Sequence, residues 1–139
     1  MEKLKKGGGK MYEIKHKLTG QIIFSCEDAN FKGANLEYAD FECANFEGAY
    51  FEDANFEGAN LKDAKFEGAY FEGAKNILSF QAGEHSRICI AVKHETEVKF
   101  KIGCYWGSMQ GAILRIRKKY GRNSNYEKLV SIYNDMLKN

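Results

Sequence analysis

A five-residue period dominates the middle of the chain. Alanine occupies every fifth position from 29 to 74, and nine of these ten alanines are followed two residues later by Phe or Leu. A helix repeats its apolar positions every three or four residues and a strand every two, so neither element alone explains the pattern. Within one unit, Ala and the following Phe or Leu point to the same side of an extended segment. The polar residue between them points outward, and the remaining two residues must turn the chain.

Each five-residue unit is therefore predicted to be a very short strand followed by a corner. One unit cannot bury its apolar side chains alone, so successive units must coil and stack on one another. Small and large side chains would alternate in the filled interior. The predicted core includes seven phenylalanines: Phe31, Phe41, Phe46, Phe51, Phe56, Phe66 and Phe71.

The repeated units resemble the pentapeptide-repeat family. Units such as Ala-Asn-Phe-Glu-Gly, Ala-Tyr-Phe-Glu-Asp and Ala-Asn-Leu-Lys-Asp carry the resemblance. The resemblance implies a mainly β fold, a short right-handed quadrilateral β-helix with four units in each coil. Residues 29–78 would then form two to three coils. At roughly 4.8 Å for each coil, the expected stack is about 10–14 Å tall.

Non-repeated segments flank the repeat and are expected to cover its two open ends, where strand edges would otherwise be unpaired. Residues 1–10 are expected to be a flexible basic arm, and residues 11–28 an N-terminal hairpin that leads into the first coil. Residues 79–139 predict a C-terminal α/β cap. Its expected parts are a hairpin at 86–105 and two helices at about 108–120 and 125–138.

The order of these flanking segments resembles small pentapeptide-repeat proteins found in phages and prophages. The matching segments are Tyr12-Glu13-Ile14, Thr19-Gly20, Ile23-Phe24 and the run Ile102-Gly-Cys-Tyr-Trp106. Because this resemblance fixes no activity, function must be argued from surfaces.

Charge is divided unevenly between the repeat and the C-terminal cap. Residues 29–76 hold ten acidic residues and four lysines, a balance of −6, whereas residues 86–139 hold eleven Lys or Arg and four acidic residues, a balance of +7. A basic stripe is expected on the first predicted helix and just past it. The stripe consists of Arg115, Lys118, Lys119 and Arg122. It is either a solvated helix face or a surface that binds phosphate or an acidic partner.

Further residues near the stripe are candidates for binding a phosphorylated ligand. Trp106 or a nearby tyrosine, Tyr105 or Tyr120, would stack a nucleobase beside the basic stripe, or would simply be core between hairpin and helix. Ser108 would begin the first helix, whose free backbone amides suit a phosphate group.

One outer face of the predicted coils carries stacked aromatic and acidic residues. Tyr50 and Tyr70 are twenty residues apart and so are expected on successive coils, with Glu52 and Glu72 beside them. Stacked carboxylates repel, so stability alone would not select them. The pattern indicates either a copied surface Glu, or a face that docks a protein or the basic cap of another copy.

Several functional classes are disfavoured. The three histidines lie in separate regions at no recognised catalytic spacing, and the four cysteines form no Cys-x-x-Cys pair, so we expect no enzyme, no metal and no cofactor. Some family members mimic duplex DNA, but a 10–14 Å stack covers only about three or four base-pair rises. No apolar run could span a membrane, and no signal peptide is evident, so a cytoplasmic location is expected.

The expected function is therefore non-enzymatic binding. The leading hypothesis is a phage or prophage-type protein that docks on a host protein in the host cytoplasm and inhibits it. The alternative is sequestration of a phosphorylated small molecule, such as a nucleotide immune signal, through the basic cap of a homo-oligomer.

Overall fold

The chain forms eight strands and two helices in the computed structural model, counted over the residues that the structure describes. These are residues 2–4, 10–82 and 87–138, with side chains described for 11–80 and 88–138. The elements are β1 (Glu2–Leu4), β2 (Lys10–His16), β3 (Ile22–Glu27), β4 (Ala39–Asp40), β5 (Ile77–Ala82), β6 (Arg87–Lys93), β7 (Val98–Ile102), β8 (Tyr105–Gly107), α1 (Met109–Tyr120) and α2 (Asn125–Lys138).

The repeat region is built from parallel rungs of residues twenty positions apart. Asn30 bridges Tyr50, which bridges Tyr70, and equivalent parallel bridges start from three further positions at five-residue spacing: Asn35, Asp40 and Asn45. Backbone hydrogen bonds join the rungs in both directions. The amide of Phe31 donates to the carbonyl of Tyr50 at 2.7 Å, and the amide of Tyr50 donates to the carbonyl of Ala29 at 3.0 Å. This is a β-helix-like solenoid.

The polar residue of each unit also helps to turn the chain. The side-chain oxygen of Asn35 accepts a hydrogen bond from the amide of Glu37 at 3.2 Å, and Asp40 accepts from Glu42 at 3.0 Å. This short loop is the local turn that Asn and Asp side chains favour. The recurring Asn therefore has a structural cause as well as an outward position.

The solenoid interior is a stack of phenylalanine rings and small alanines. Phe31 and Phe51 stack at 4.8 Å between ring centroids, and Phe51 and Phe71 stack at 5.5 Å. Phe71 lies on the last rung and is half-buried. The other six phenylalanines expected in the core are buried: Phe31, Phe41, Phe46, Phe51, Phe56 and Phe66.

An N-terminal sheet packs against the first coil. β2 pairs with β3 and also with β4 of the solenoid, and the ring of buried Tyr12 packs on Phe31 and Phe46. The expectation of a flexible arm over 1–10 is wrong for Glu2–Leu4, which form β1 and pair with β2. The rest of that arm, apart from Lys10 at the start of β2, lies outside the described residues.

The C-terminal cap adds two layers to the solenoid. Strands β5 to β8 form an antiparallel sheet in sequence order. One face of the sheet packs on the solenoid core through Ile77, Ile90 and Val92. The other face packs on the helices through residues such as Val98 and Phe100. In place of the expected hairpin at 86–105, the sheet has four strands, with β5 and β8 added to β6 and β7.

Local hydrogen bonds mark the start of both helices and the end of α1. Ser108 caps α1 by accepting from the amide of Gly111, and the amide of Gly121 donates to the carbonyl of Arg117 where α1 ends. Ser124 caps α2 by accepting from the amide of Glu127. On α2, Val130 is buried and Met136 is 60% exposed.

Candidate functional site

An exposed pair of stacked tyrosines marks one outer face of the solenoid. The rings of Tyr50 and Tyr70 lie 5.1 Å apart at 6° to each other, and about half of each side chain is exposed. Adjacent rungs hold them in register because Tyr50 and Tyr70 form a parallel bridge. Glu52 and Glu72 follow two positions later. We call these four residues the tyrosine face.

The carboxylates of the tyrosine face are not neutralised within the described part of the chain. Glu72 is exposed and Glu52 is half-buried. No ion pair between described residues involves either one. Like charges directly opposite each other on adjacent strands are destabilising, and no ion pair among the described residues offsets the repulsion between Glu52 and Glu72. Lys32 lies on the rung next to Glu52.

The basic stripe, Arg115, Lys118, Lys119 and Arg122, is exposed throughout. Arg115 lies over the ring of Tyr105 at 5.1 Å, and Lys119 lies over the ring of Tyr120 at 5.3 Å. Arg122 comes after α1 has ended at Tyr120. The stripe therefore continues past the helix into the loop before α2.

Trp106 lies on the opposite side of the sheet from the basic stripe. Its ring packs on the solenoid side of the sheet and meets the ring of His94 at 5.8 Å. Tyr105, the residue before it in β8, points to the helix side and contacts Arg115. The prediction that Trp106 stacks a base beside the stripe is therefore wrong, and Tyr105 has that position.

Ser108 is also separate from the stripe. Its hydroxyl is engaged as the cap of α1, and it lies at the opposite end of the helix from Arg122. At about 1.5 Å for each helical residue, the helix start and Arg122 are roughly 20 Å apart. One small phosphate group could not contact both.

A small apolar pocket lies beneath the basic stripe. Its volume is about 60 Å³, and Arg115 and Lys119 line it together with the end of α1 and a row across the sheet: Phe80, Cys89, Ile102, Ile116 and Tyr120. This pocket could not be predicted from the sequence, because its lining depends on which strand residues meet the helix.

The repeat is the part of the chain that matches a known family. Residues 25–46 and 39–75 match the family model for pentapeptide repeats, with eight copies. This part of the chain is a pentapeptide-repeat region. No curated protein and no solved structure matches the chain significantly. Within the described residues, neither helix is long and apolar enough to cross a membrane.

A histidine at the turn between β6 and β7 connects the cap to the solenoid. Nε2 of His94 donates to the carbonyl of Ala59 at 2.9 Å. Burial, together with Lys17 and Lys99, lowers the pKa of His94 to about 4. Nearby, the Tyr38 hydroxyl donates to Glu95 at 2.7 Å. No role for these residues was expected from the sequence.

A buried lysine lies at the same junction. Lys101 is only 8% exposed, and its Nζ donates to the carbonyl of Gly103 at 2.9 Å. Burial lowers its pKa, whereas Asp63 and Glu67 of the solenoid act to raise it. These groups line a cleft of about 240 Å³ between solenoid and sheet. Their mixed charge gives the cleft no single ligand preference.

The thiols and the other histidines do not assemble a reactive site among the described residues. All four cysteines are free, and burial raises the pKa of Cys89 to about 12. His16 accepts a hydrogen bond from the amide of Leu18 at 3.1 Å, and His85 lies outside the described residues. No group of three or more metal-binding side chains converges within the described chain.

Proposed function

We propose that this protein is a non-enzymatic binding module that docks on another protein through the tyrosine face. One observation carries the proposal: Tyr50 and Tyr70 are stacked, in register on adjacent rungs, and about half exposed. Exposed tyrosines on a pre-formed surface offer large contact area at little cost in conformational entropy. Tyrosine is also among the residues enriched at the centres of protein interfaces.

The target we propose is a host protein, with the chain acting as a phage or prophage-type inhibitor in the host cytoplasm. Support comes from the resemblance of the flanking segments, Tyr12-Glu13-Ile14 at one end and Ile102 to Trp106 at the other. Inhibition would follow when the solenoid covers a surface that the target needs.

The finer form of the scaffold is part of this proposal. We propose a right-handed, four-sided coil of two to three turns. Four sets of parallel bridges at five-residue spacing, each joining residues twenty apart, support four units in each coil. Such a coil is a rigid platform, so the tyrosine face would bind with little rearrangement.

The test is capture of a host protein by the tagged chain, identification of that protein, and measurement of its dissociation constant with purified components. Tyr50→Ala/Tyr70→Ala should weaken binding at least about tenfold, because truncation of interface tyrosines commonly costs more than 1 kcal/mol. Leu114→Ala/Ile132→Ala is the matched control, since it removes two exposed apolar side chains from the helices. Equal binding by wild type and the tyrosine variant would reject this face as the contact.

A second candidate is sequestration of a phosphorylated small molecule at the basic stripe. The observation that favours it is the pairing of Arg115 with Tyr105 and Lys119 with Tyr120 at the mouth of the apolar pocket. Cationic groups held on aromatic rings could hold phosphates beside a partly inserted base.

Native mass spectrometry of protein purified from bacterial cells, followed by a denatured run, tests this candidate. An added mass of nucleotide size that is lost on denaturation would support it. Mononucleotides added to the purified chain should raise the melting temperature of wild type and not of Arg115→Gln/Lys119→Gln. A nucleotide-induced shift of the same size in both proteins would exclude the stripe as the binding site.

A further inference from the structure

We infer that the basic stripe of one copy of this protein docks on the tyrosine face of a second copy. The two surfaces belong to different layers of one chain, and the sheet β5 to β8 lies between the solenoid and α1. The stripe of a folded chain therefore cannot reach its own tyrosine face. The partner in this contact is the chain itself, which goes beyond the function proposed above.

The acidic surface is concentrated around the two tyrosines. Residues 47–53 and 67–73 together contain five acidic residues and no Lys or Arg. Four of the five are exposed and Glu52 is half-buried. Glu67 acts electrostatically on Lys101, but no ion pair between described residues involves any of the five. Carboxylates held on adjacent rungs repel each other, so a cation from outside the chain would relieve that repulsion.

The basic surface is equally unbalanced. Helix α1 contains four Lys or Arg residues and no acidic residue. Glu127 neutralises only Arg117, by an ion pair that lies outside the stripe. Arg122 acts electrostatically on the same Glu127, but Lys118 has no ion-pair partner among the described residues.

The spacing of the two surfaces is compatible. Residues three or four apart on a helix place their Cβ atoms about 5–6 Å apart. The stacked rings of Tyr50 and Tyr70 are 5.1 Å apart. Cations on successive helical positions can therefore meet successive rungs, with carboxylates for charge and tyrosine rings for cation–π contact.

This contact joins two different surfaces, so each bound copy still offers one free surface of each kind. Such heterologous contacts form closed rings or open chains, depending on whether the rotation closes. Self-association would also cover the tyrosine face and withhold it from any other protein.

The test is sedimentation velocity of the full chain at low and high ionic strength. At about 0.01 M salt the screening length is about 30 Å, and at about 1 M it is about 3 Å. Wild type should sediment as an assembly at low salt and as a 15.8 kDa monomer at high salt. A monomer at every salt concentration would overturn the inference and would leave the face to a different partner.

Charge-reversal variants then identify which two surfaces form the contact between copies. Glu52→Lys/Glu72→Lys and Lys118→Glu/Arg122→Glu should each be monomeric alone, because the first makes the tyrosine face basic and the second cancels the net positive charge of the stripe. Mixed in equal amounts, the two variants should associate again, because the unchanged stripe of the first variant meets the unchanged tyrosine face of the second. Lys128→Glu/Lys138→Glu changes the net charge equally on exposed positions of α2 and should associate like wild type.

Two results would contradict the assignment directly. One is association that survives both reversals, and the other is a mixture of the two variants that stays monomeric. Neither result bears on docking of a host protein, which the Tyr50→Ala/Tyr70→Ala comparison tests separately.

Discussion

Nine equivalent corner residues of the repeat adopt positive φ, and only five of them are glycine. Tyr38, Cys43, Asp53 and Asp63 have φ between 56° and 61°, and the corner glycines have φ between 70° and 72°. The solenoid thus imposes one corner geometry whatever the side chain. What varies is the space outside each corner, because the residue twenty positions earlier lies against it.

A comparison of Gly58 with Gly48 separates the cost of the backbone conformation from the cost of filling the space outside the corner. Both have φ of +72°, but a Cβ on Gly58 would lie 2.6 Å from the ring of Tyr38, whereas none of the described atoms lies within 4 Å of a Cβ on Gly48. Gly48→Ala should cost about 1–2 kcal/mol for the left-handed backbone alone. Gly58→Ala should cost at least about 1 kcal/mol more, since the Tyr38 ring must move. Urea unfolding measures both, and equal losses would show that Tyr38 yields without cost.

At the scale of elements, the sequence predicted what local chemistry determines. Ser108 and Gly121 bound α1 because a side-chain cap and a positive-φ stop act within a few residues. Strands β5 and β8 were missed because their pairing is set by neighbours in the sheet. β8 has only three residues, too few for alternation to be recognised.

The rungs of the solenoid should differ in their contribution to stability according to position. Phe51 is fully buried between Phe31 and Phe71, whereas Phe71 is half-buried on the last rung. Phe51→Ala should lower the free energy of unfolding by about 3–5 kcal/mol, the usual cost of deleting a buried ring. Phe71→Ala should cost clearly less. Chemical denaturation of both variants checks this order, and a larger loss for Phe71→Ala would mean that the cap depends on that ring.

At the scale of the whole molecule, the three layers decide which surfaces meet. The tyrosine pair could be predicted because the twenty-residue spacing places Tyr50 and Tyr70 on one face. The side on which Trp106 lies could not, because it depends on which face of β8 meets α1. The contacts of His94 and Lys101 at the junction between cap and solenoid, which we call the seam, could not be predicted either, because their partners come from the distant solenoid.

The seam makes the joining of cap and solenoid dependent on pH. The pKa of His94 is lowered from 6.5 to about 4 in the folded chain, so the fold favours the neutral ring. Its contribution to stability is complete above about pH 6.5 and is lost as the pH falls toward 4. Between pH 7 and 4.5, wild type should lose about 1–2 kcal/mol more than His94→Gln, a figure reduced because the ring is partly solvated. Parallel losses in urea unfolding would show that His94 does not titrate in this way.

The twenty-residue separation between bridged positions also determines which changes in length the molecule tolerates. In the proposed four-sided coil, insertion of four whole units would add one complete coil, raise the cap by about 4.8 Å and keep every face of the solenoid in line. Insertion of a single unit would instead carry the cap around to a different side of the stack. Length variation in chains of this design is therefore expected in steps of twenty residues, which is one whole coil at a time.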